Sequence, residues 1–301
     1  MLTTPQLRQS AALSGIRDIG NIEIDVILTH LLQLFHEHGL TSHLAFKGGT
    51  FLRKMVFGPR GRLSTDLDFT CRSDISLDDL TLLMLETLDK PYHGISFRFD
   101  RDKDWYLTDE GCAANPVCAH DGNTTGVKIK IQVSMRERPI LPVQETPQID
   151  QSYFKFLDFA PVPIPSLALD EVIAEKIRAA SQRSKIRDLY DLAEISHRPL
   201  NQGVIRSLAV LKLWQSRGAG LNFDRFRQRI EAGDEYDVKD LQNLLRKDQK
   251  PDLAKMIERV CAKFRFLGQL TEIEHRLTGD STMRLRKEAA LLRQELQKSH
   301  E

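Results

Sequence analysis

The sequence predicts an α+β fold in which strands and helices share the first half of the chain and helices alone fill the second. Three observations carry this. Residues 126–134 (GVKIKIQVS) alternate cleanly, with Val127, Ile129, Ile131 and Val133 on one face and Lys128, Lys130, Gln132 and Ser134 on the other, which is the period of a strand. Shorter strand-like segments at 43–46, 62–69 and 94–100 are interleaved with amphipathic runs. Beyond Ser166, helical spacing dominates.

Taken in order, residues 5–14 read as a short helix with Pro5 near its first turn. Residues 21–38 read as a stronger one, with a broad apolar stripe that includes Ile22, Val26, Leu31 and Phe35. Gly39 ends it, and His36 and His38 sit at the surface of its last turn. After the strand at 43–46, residues 50–57 read as a helix burying Phe51, Leu52, Met55 and Val56, and residues 58–61 (GPRG) as a loop. Residues 62–69 return as a strand, and Ser76 is positioned to cap a helix that runs to about Leu88. The polar stretch 101–125 reads as a long hairpin or lid. Six prolines fall between 139 and 165, and residues 161–165 (PVPIP) read as a stiff connector. The expected division is therefore 1–160 and 161–301. Helices are expected from Ser166 through the Lys176 region, across Asp188 and Asp191, and at 202–217, 222–231, 237–247, 251–267 and 281–300.

Composition narrows the function. The chain has 301 residues, and its 43 basic and 42 acidic side chains leave a formal net charge of +1. That balance supplies no global field for nucleic acid, so any such contact needs a local basic face. No run approaches the length of a membrane span, and the first residues hold no signal-peptide core, which leads to the expectation of a cytoplasmic protein. Cys112, Cys118 and His120 cluster in sequence, but their spacing fits no zinc pattern. No histidine falls in a recognisable nucleophile context, and there is neither a Walker P-loop nor a GxGxxG run.

The chemistry concentrates in Lys47-Gly48-Gly49-Thr50 and, shortly after, Ser64-Thr65-Asp66-Leu67-Asp68. Glycines opening a helix offer backbone N–H groups to an anion. Asp66 and Asp68, two apart on a strand, point to the same face about 7 Å apart. Such carboxylates suit Mg²⁺, which takes one or two of them together with substrate phosphates. The order and spacing of the two segments suggest a nucleotide–metal site. Lys176 reads either as a lysine whose stem lies along the core edge or as a point charge for a triphosphate. Asp188 reads as an ion-pair partner or as a functional acid. Lys128 and Lys130, with Arg178, Arg183, Lys185 and Arg187 elsewhere, form either solvated faces or a basic wall for a nucleic-acid backbone.

In sequence order, FKGGTFLRK, RLSTDLDF, ALDEVIAEKIRA and KIRDLYDL resemble the landmarks of the AbiEii/AbiGii (MenT-like) nucleotidyltransferase toxins, a branch of the DNA polymerase β-type nucleotidyltransferases. The matching motifs span residues 46–192. The resemblance implies a minimal nucleotidyltransferase domain, a mixed β-sheet flanked by helices, followed by a helical domain that completes a cleft for an NTP and Mg²⁺. By motif position, Lys47, Gly48, Gly49, Thr50, Ser64 and Thr65 would lie at the nucleotide. Asp66 and Asp68 would bind the metal, and Lys176 and Asp188 would be the second functional pair, one at a phosphate and one assisting the acceptor or metal. It also implies a bacterial toxin–antitoxin role with a cognate antitoxin, and nucleotide addition to RNA, above all tRNA 3′ ends, which blocks translation. An NTP- or RNA-binding protein with little catalysis, and an enzyme that nucleotidylates proteins, are the alternatives. The sequence departs from the polymerase β pattern at Gln132, where a third carboxylate is expected. Glutamine can act neither as a base nor as an anionic ligand, so either Asp188 takes part of that role or a second metal is weakly held.

Overall fold

The computed structural model describes residues 1–100, 102–108, 110–216, 220–232 and 236–299. Positions 101, 109, 217 and 300, to which the expectations above extend, lie outside the described residues.

Helix α1 (Thr4–Ser14) starts at a capping box between Thr3 and Gln6. Helix α2 (Ile19–Glu37) follows beneath Asp18, whose side chain accepts from the Gly20 N–H. Its middle is buried almost all round, so it is a core helix rather than a surface one. Strand β1 (Leu44–Lys47) leads into α3 (Gly48–Phe51), which widens into a π-helical run over Leu52–Phe57. The helix expected at 50–57 thus begins two residues earlier and changes its period. Gly58, at φ 59, ends it.

Strand β2 (Asp66–Cys71) is shorter than the segment 62–69 suggested, because residues 62–65 approach it without pairing. Ser76 caps α4 (Leu77–Thr87) as expected, accepting from the Asp79 N–H. Then come β3 (Ser96–Arg98), β4 (Trp105–Thr108), β5 (Gly111–Ala114), β6 (Val117–His120), β7 (Asn123–Lys128), β8 (Lys130–Ser134), β9 (Gln144–Thr146) and β10 (Ile164–Ser166). Among the described residues these strands form a seven-stranded sheet in the order β4-β5-β8-β2-β1-β10-β9 and a three-stranded sheet in the order β3-β6-β7. The larger one is mixed: β1 runs antiparallel to β2 and parallel to β10, and β2 runs parallel to β8.

Three expectations are corrected here. The described part of the stretch 101–125 keeps the hairpin half of its reading and loses the lid, since it forms two antiparallel strand pairs, β4-β5 in the larger sheet and β6-β7 in the smaller, rather than one long hairpin. The single strand expected over 126–134 is two strands in different sheets, changing at buried Ile129, whose N–H donates to the Pro116 carbonyl. The connector 161–165 ends inside β10, whose one register pair with β1 falls at Ser166 rather than at Pro165.

The helices that follow are α5 (Leu169–Gln182), α6 (Ile186–Ile195), α7 (Gln202–Gln215), α8 (Phe223–Glu231), α9 (Val238–Gln242), α10 (Leu253–Lys263), α11 (Glu272–Gly279) and α12 (Arg286–Lys298). Helix α11, opened by a Thr271–Glu274 capping box, was not expected, and the helix expected over 237–247 stops at Gln242.

Two compact units result. The first comprises residues 1–139, 143–167 and 243–249; the second comprises 140–142, 168–242 and 250–301. The strand-bearing unit runs to Leu167 apart from 140–142, and a short return segment, 243–249, belongs to it. Leu244 of that segment lies in a core cluster with Leu2, Leu7, Ile22, Val26, Leu63 and Tyr153. In the second unit, fully buried Lys212 on α7 pairs with Glu171 at 2.8 Å and Glu175 at 2.9 Å, both on α5. No described helix is long and apolar enough to cross a membrane.

Candidate active site

Strand β2 presents Leu67 and Phe69 to the core, while Asp66 and Asp68 alternate with them and stay half-buried. Antiparallel pairing puts Lys47 opposite Asp68, so the chain leaves β1 directly beside that carboxylate. It turns there at Gly48, with φ 81, a left-handed conformation that glycine adopts without strain. A Cβ at Gly48 would lie 2.9 Å from the Asp68 Cβ and would overlap its carboxylate, so no larger residue fits. Gly49 is less confined: a Cβ there would come within 2.7 Å of Arg62 Nη2, the end of a long side chain, and 3.0 Å of Ser64 Oγ. Gly48 is thus required by close packing against the acidic strand, and Gly49 packs against the residues that lead into it.

Two hydroxyls bind the turn to the strand. Thr50 Oγ1 donates to the Asp66 carbonyl, and Ser64 Oγ donates to Asp66 Oδ1 at 2.8 Å. Thr65 is half-buried immediately before β2. On the other side, parallel pairing sets Lys130 beside Asp66 and Gln132 beside Asp68, both exposed. Gln132 is therefore the neighbour of Asp68 on the adjoining strand, where it places an uncharged amide. Among the described residues, no group of three or more His, Cys, Asp or Glu side chains could hold a metal. The donor set in this unit is two carboxylates on one face, which suits Mg²⁺ arriving with phosphate ligands of its own.

The helical run after the glycine pair is anchored from below. Arg53 and Lys54 are both fully buried and converge on Asp25 of α2. Lys54 Nζ donates to Asp25 Oδ1 at 2.9 Å, to Thr29 Oγ1 at 2.8 Å and to Tyr153 Oη at 3.0 Å. Arg53 also donates to the Gly58 and Gly61 carbonyls. Burial works to raise the Asp25 carboxyl, but the Lys54 and Arg53 charges outweigh it and hold it below the usual carboxylate range. None of this was read from the sequence. Its one signal was Asp25, an acid in the middle of an apolar helix. Arg62, buried against Gly49, was missed as well.

Lys176 and Asp188 lie in the second unit, on α5 and α6. Lys176 Nζ is 3.1 Å from Asp188 Oδ1 and 2.7 Å from Asp191 Oδ2, and Arg183 Nε donates to Asp188 Oδ2 at 2.8 Å. Burial would raise the Asp188 carboxyl, but the Lys176 charge, with the Arg183 hydrogen bond and charge, keeps it lowered. The two predicted residues are thus brought together with each other, as an ion cluster that also takes in Asp191 and Arg183.

The family model described as the nucleotidyl transferase AbiEii toxin of type IV toxin–antitoxin systems matches residues 30–277. The chain belongs to the AbiEii family. It is a nucleotidyltransferase of the toxin type. Its structure is similar to that of MenT4, a nucleotidyltransferase toxin from Mycobacterium tuberculosis, with a TM-score of 0.82 at 24% identity over 99% of each chain. A putative nucleotidyltransferase from Helicobacter pylori and JHP933 from the same species match more distantly. Their TM-scores are 0.49 and 0.47, each at 18% identity, covering 81% and 88% of this chain and 94% and 97% of theirs. No curated protein matches the chain in sequence. The AbiEii match contains both the glycine turn with its acidic strand and the Lys176–Asp188 cluster.

Proposed function

We propose that this AbiEii nucleotidyltransferase transfers a nucleotide from an NTP, with Mg²⁺, to the 3′ end of an RNA acceptor, tRNA above all, as the toxin of a pair whose cognate antitoxin restrains it in the cytoplasm. The observation that carries the proposal is the packing of Gly48 onto Asp68, with Thr50 hydrogen-bonded to the Asp66 carbonyl. The acceptor is proposed from the family resemblance, and it accords with the exposed Lys128 and Lys130.

In this reading the turn backbone, with Lys47, Thr50, Ser64 and Thr65 around it, receives the triphosphate. The confined glycines let phosphate oxygens approach main-chain N–H groups. Asp66 and Asp68 hold Mg²⁺, which neutralises charge building on the phosphates when it is bound. Ser64 fixes the rotamer of Asp66 through the hydrogen bond to Oδ1. An acceptor 3′-hydroxyl forms a bond to the α-phosphorus and gives up its proton to solvent, the bond to the bridging oxygen breaks, and pyrophosphate leaves with the electron pair. Lys176 and Asp188 are assigned by motif position as a pair, one to a phosphate and the other to the acceptor or the metal. Their mutual ion pair also gives them a structural role, so a variant of either needs a folding control.

Asp66→Ala should abolish incorporation of labelled nucleotide into total tRNA while leaving the circular dichroism spectrum unchanged. Undiminished incorporation would overturn the assignment. Digestion of the labelled product with ribonuclease or protease separates an RNA acceptor from a protein one, and sequencing RNA 3′ ends after incubation with each NTP identifies nucleotide and acceptor together.

A further inference from the structure

We propose that Tyr106 is a stacking platform for the single-stranded 3′ end of the acceptor, set on the same sheet face as the acidic pair; the inference rests on the reading of this protein as an RNA-directed nucleotidyltransferase. The strand registers build one row of side chains across five strands. Lys47 pairs with Asp68, Asp68 with Gln132, Gln132 with Ala113, and Ala113 with Tyr106. Register partners project to the same face of a sheet. The adjacent row, Phe46, Phe69, Val133 and Cys112, is buried on the opposite face and ends at Leu107. Tyr106 therefore shares the face of Asp68. At a strand spacing of about 4.8 Å it stands roughly 14 Å away, within reach of a short single strand.

The row suits such a strand chemically. Tyr106 is 53% exposed on an edge strand, so core packing does not account for its ring. Between it and Asp68 lie only the methyl group of Ala113 and the uncharged amide of Gln132, so the row carries no carboxylate between the ring and the acidic pair. Two lysines flank it. Lys128 is 56% exposed and is paired with Asp104. Lys130 is exposed beside Asp66. An aromatic face bordered by cations is how proteins hold single-stranded nucleic acid without reading its sequence.

The test is fluorescence anisotropy with a short single-stranded RNA ending in a 3′-deoxynucleotide, which binds without being extended. It uses the full chain in the presence of Mg²⁺ and NTP. Tyr106→Ala should weaken RNA binding about tenfold, Tyr106→Phe should retain it, and Leu107→Ala, on the opposite face, should leave it unchanged. Affinity for NTP, measured by calorimetry, should be the same in all four proteins. If the wild type binds and extends RNA while Tyr106→Ala binds it equally well, the platform is wrong and the enzymatic reading stands. If Tyr106→Ala loses NTP affinity in parallel, the ring serves the nucleotide and the proposal is also wrong. If the wild type neither binds nor extends RNA, both fall together.

Discussion

Gly48 illustrates what a single position can decide. Its φ of 81 and the Asp68 side chain against it exclude a methyl group for two separate reasons, conformational and steric. Gly48→Ala should cost about 1–2 kcal/mol of stability from the left-handed backbone alone, read as a lower urea midpoint. It should also displace Asp68 and remove transfer almost entirely, which a nucleotide-incorporation assay on the folded variant would show. Ser64→Ala is subtler. Losing the hydroxyl that orients Asp66 should lower kcat by about 10–100-fold, the usual cost of removing a group that positions a metal ligand, with the fold intact. Asp66, Asp68 and the glycine pair were legible in the sequence because their meaning is local: a period of two on a strand and a turn before a helix. Arg53, Lys54 and Arg62 were not. A buried cation is intelligible only with its partner, and the partner of Lys54 lies 29 residues away at Asp25.

Among the elements, the π-helical run over Leu52–Phe57 is held to α2 by ions rather than by apolar packing alone. Asp25→Ala would leave two cations buried without their counter-charge, and should destabilise the protein by about 3–5 kcal/mol, measured by urea unfolding. On the helical side, Asp188 supplies a pH signature. Its folded carboxyl titrates below its unfolded value, so across that window the unfolded chain binds more protons and stability rises with pH. The contribution is fully present above the ordinary carboxylate value of about 3.9 and is lost as pH falls through the lowered folded one. Asp188→Asn should therefore flatten the fall in urea midpoint at acid pH compared with the wild type; equally steep profiles would contradict this. The strands show the opposite limit of sequence reading. Alternation at Val127, Ile129, Ile131 and Val133 reports one apolar side; Ile129, Ile131 and Val133 are buried and Val127 is half-buried on β7, and the period of two runs through the change of sheet at Ile129 without a break.

The α+β class and the helical second half could be read from periodicity, whereas the units themselves are not contiguous in sequence. Residues 243–249 belong with the strands they follow by more than 75 residues. The Leu63 N–H donates to the Leu244 carbonyl at 2.9 Å, the Lys247 N–H to the Gly15 carbonyl at 2.8 Å, and the Gln249 side chain to the Arg60 carbonyl at 2.9 Å. Nothing in a local window could reveal this, because the pairing spans most of the chain. Leu244→Ala should cost about 2–5 kcal/mol, as buried leucines do. A fragment of residues 1–167 should show a lower thermal midpoint than the full chain, and no cooperative melt at all if the return segment is essential. The same return sets a clock on biosynthesis. The sheet that carries the candidate site is translated first, but the contacts of Leu244, Lys247 and Gln249 with its unit cannot form until residue 249 has left the ribosome, so chains terminated before that point carry every residue of the acidic strand and lack the segment that completes the unit around it.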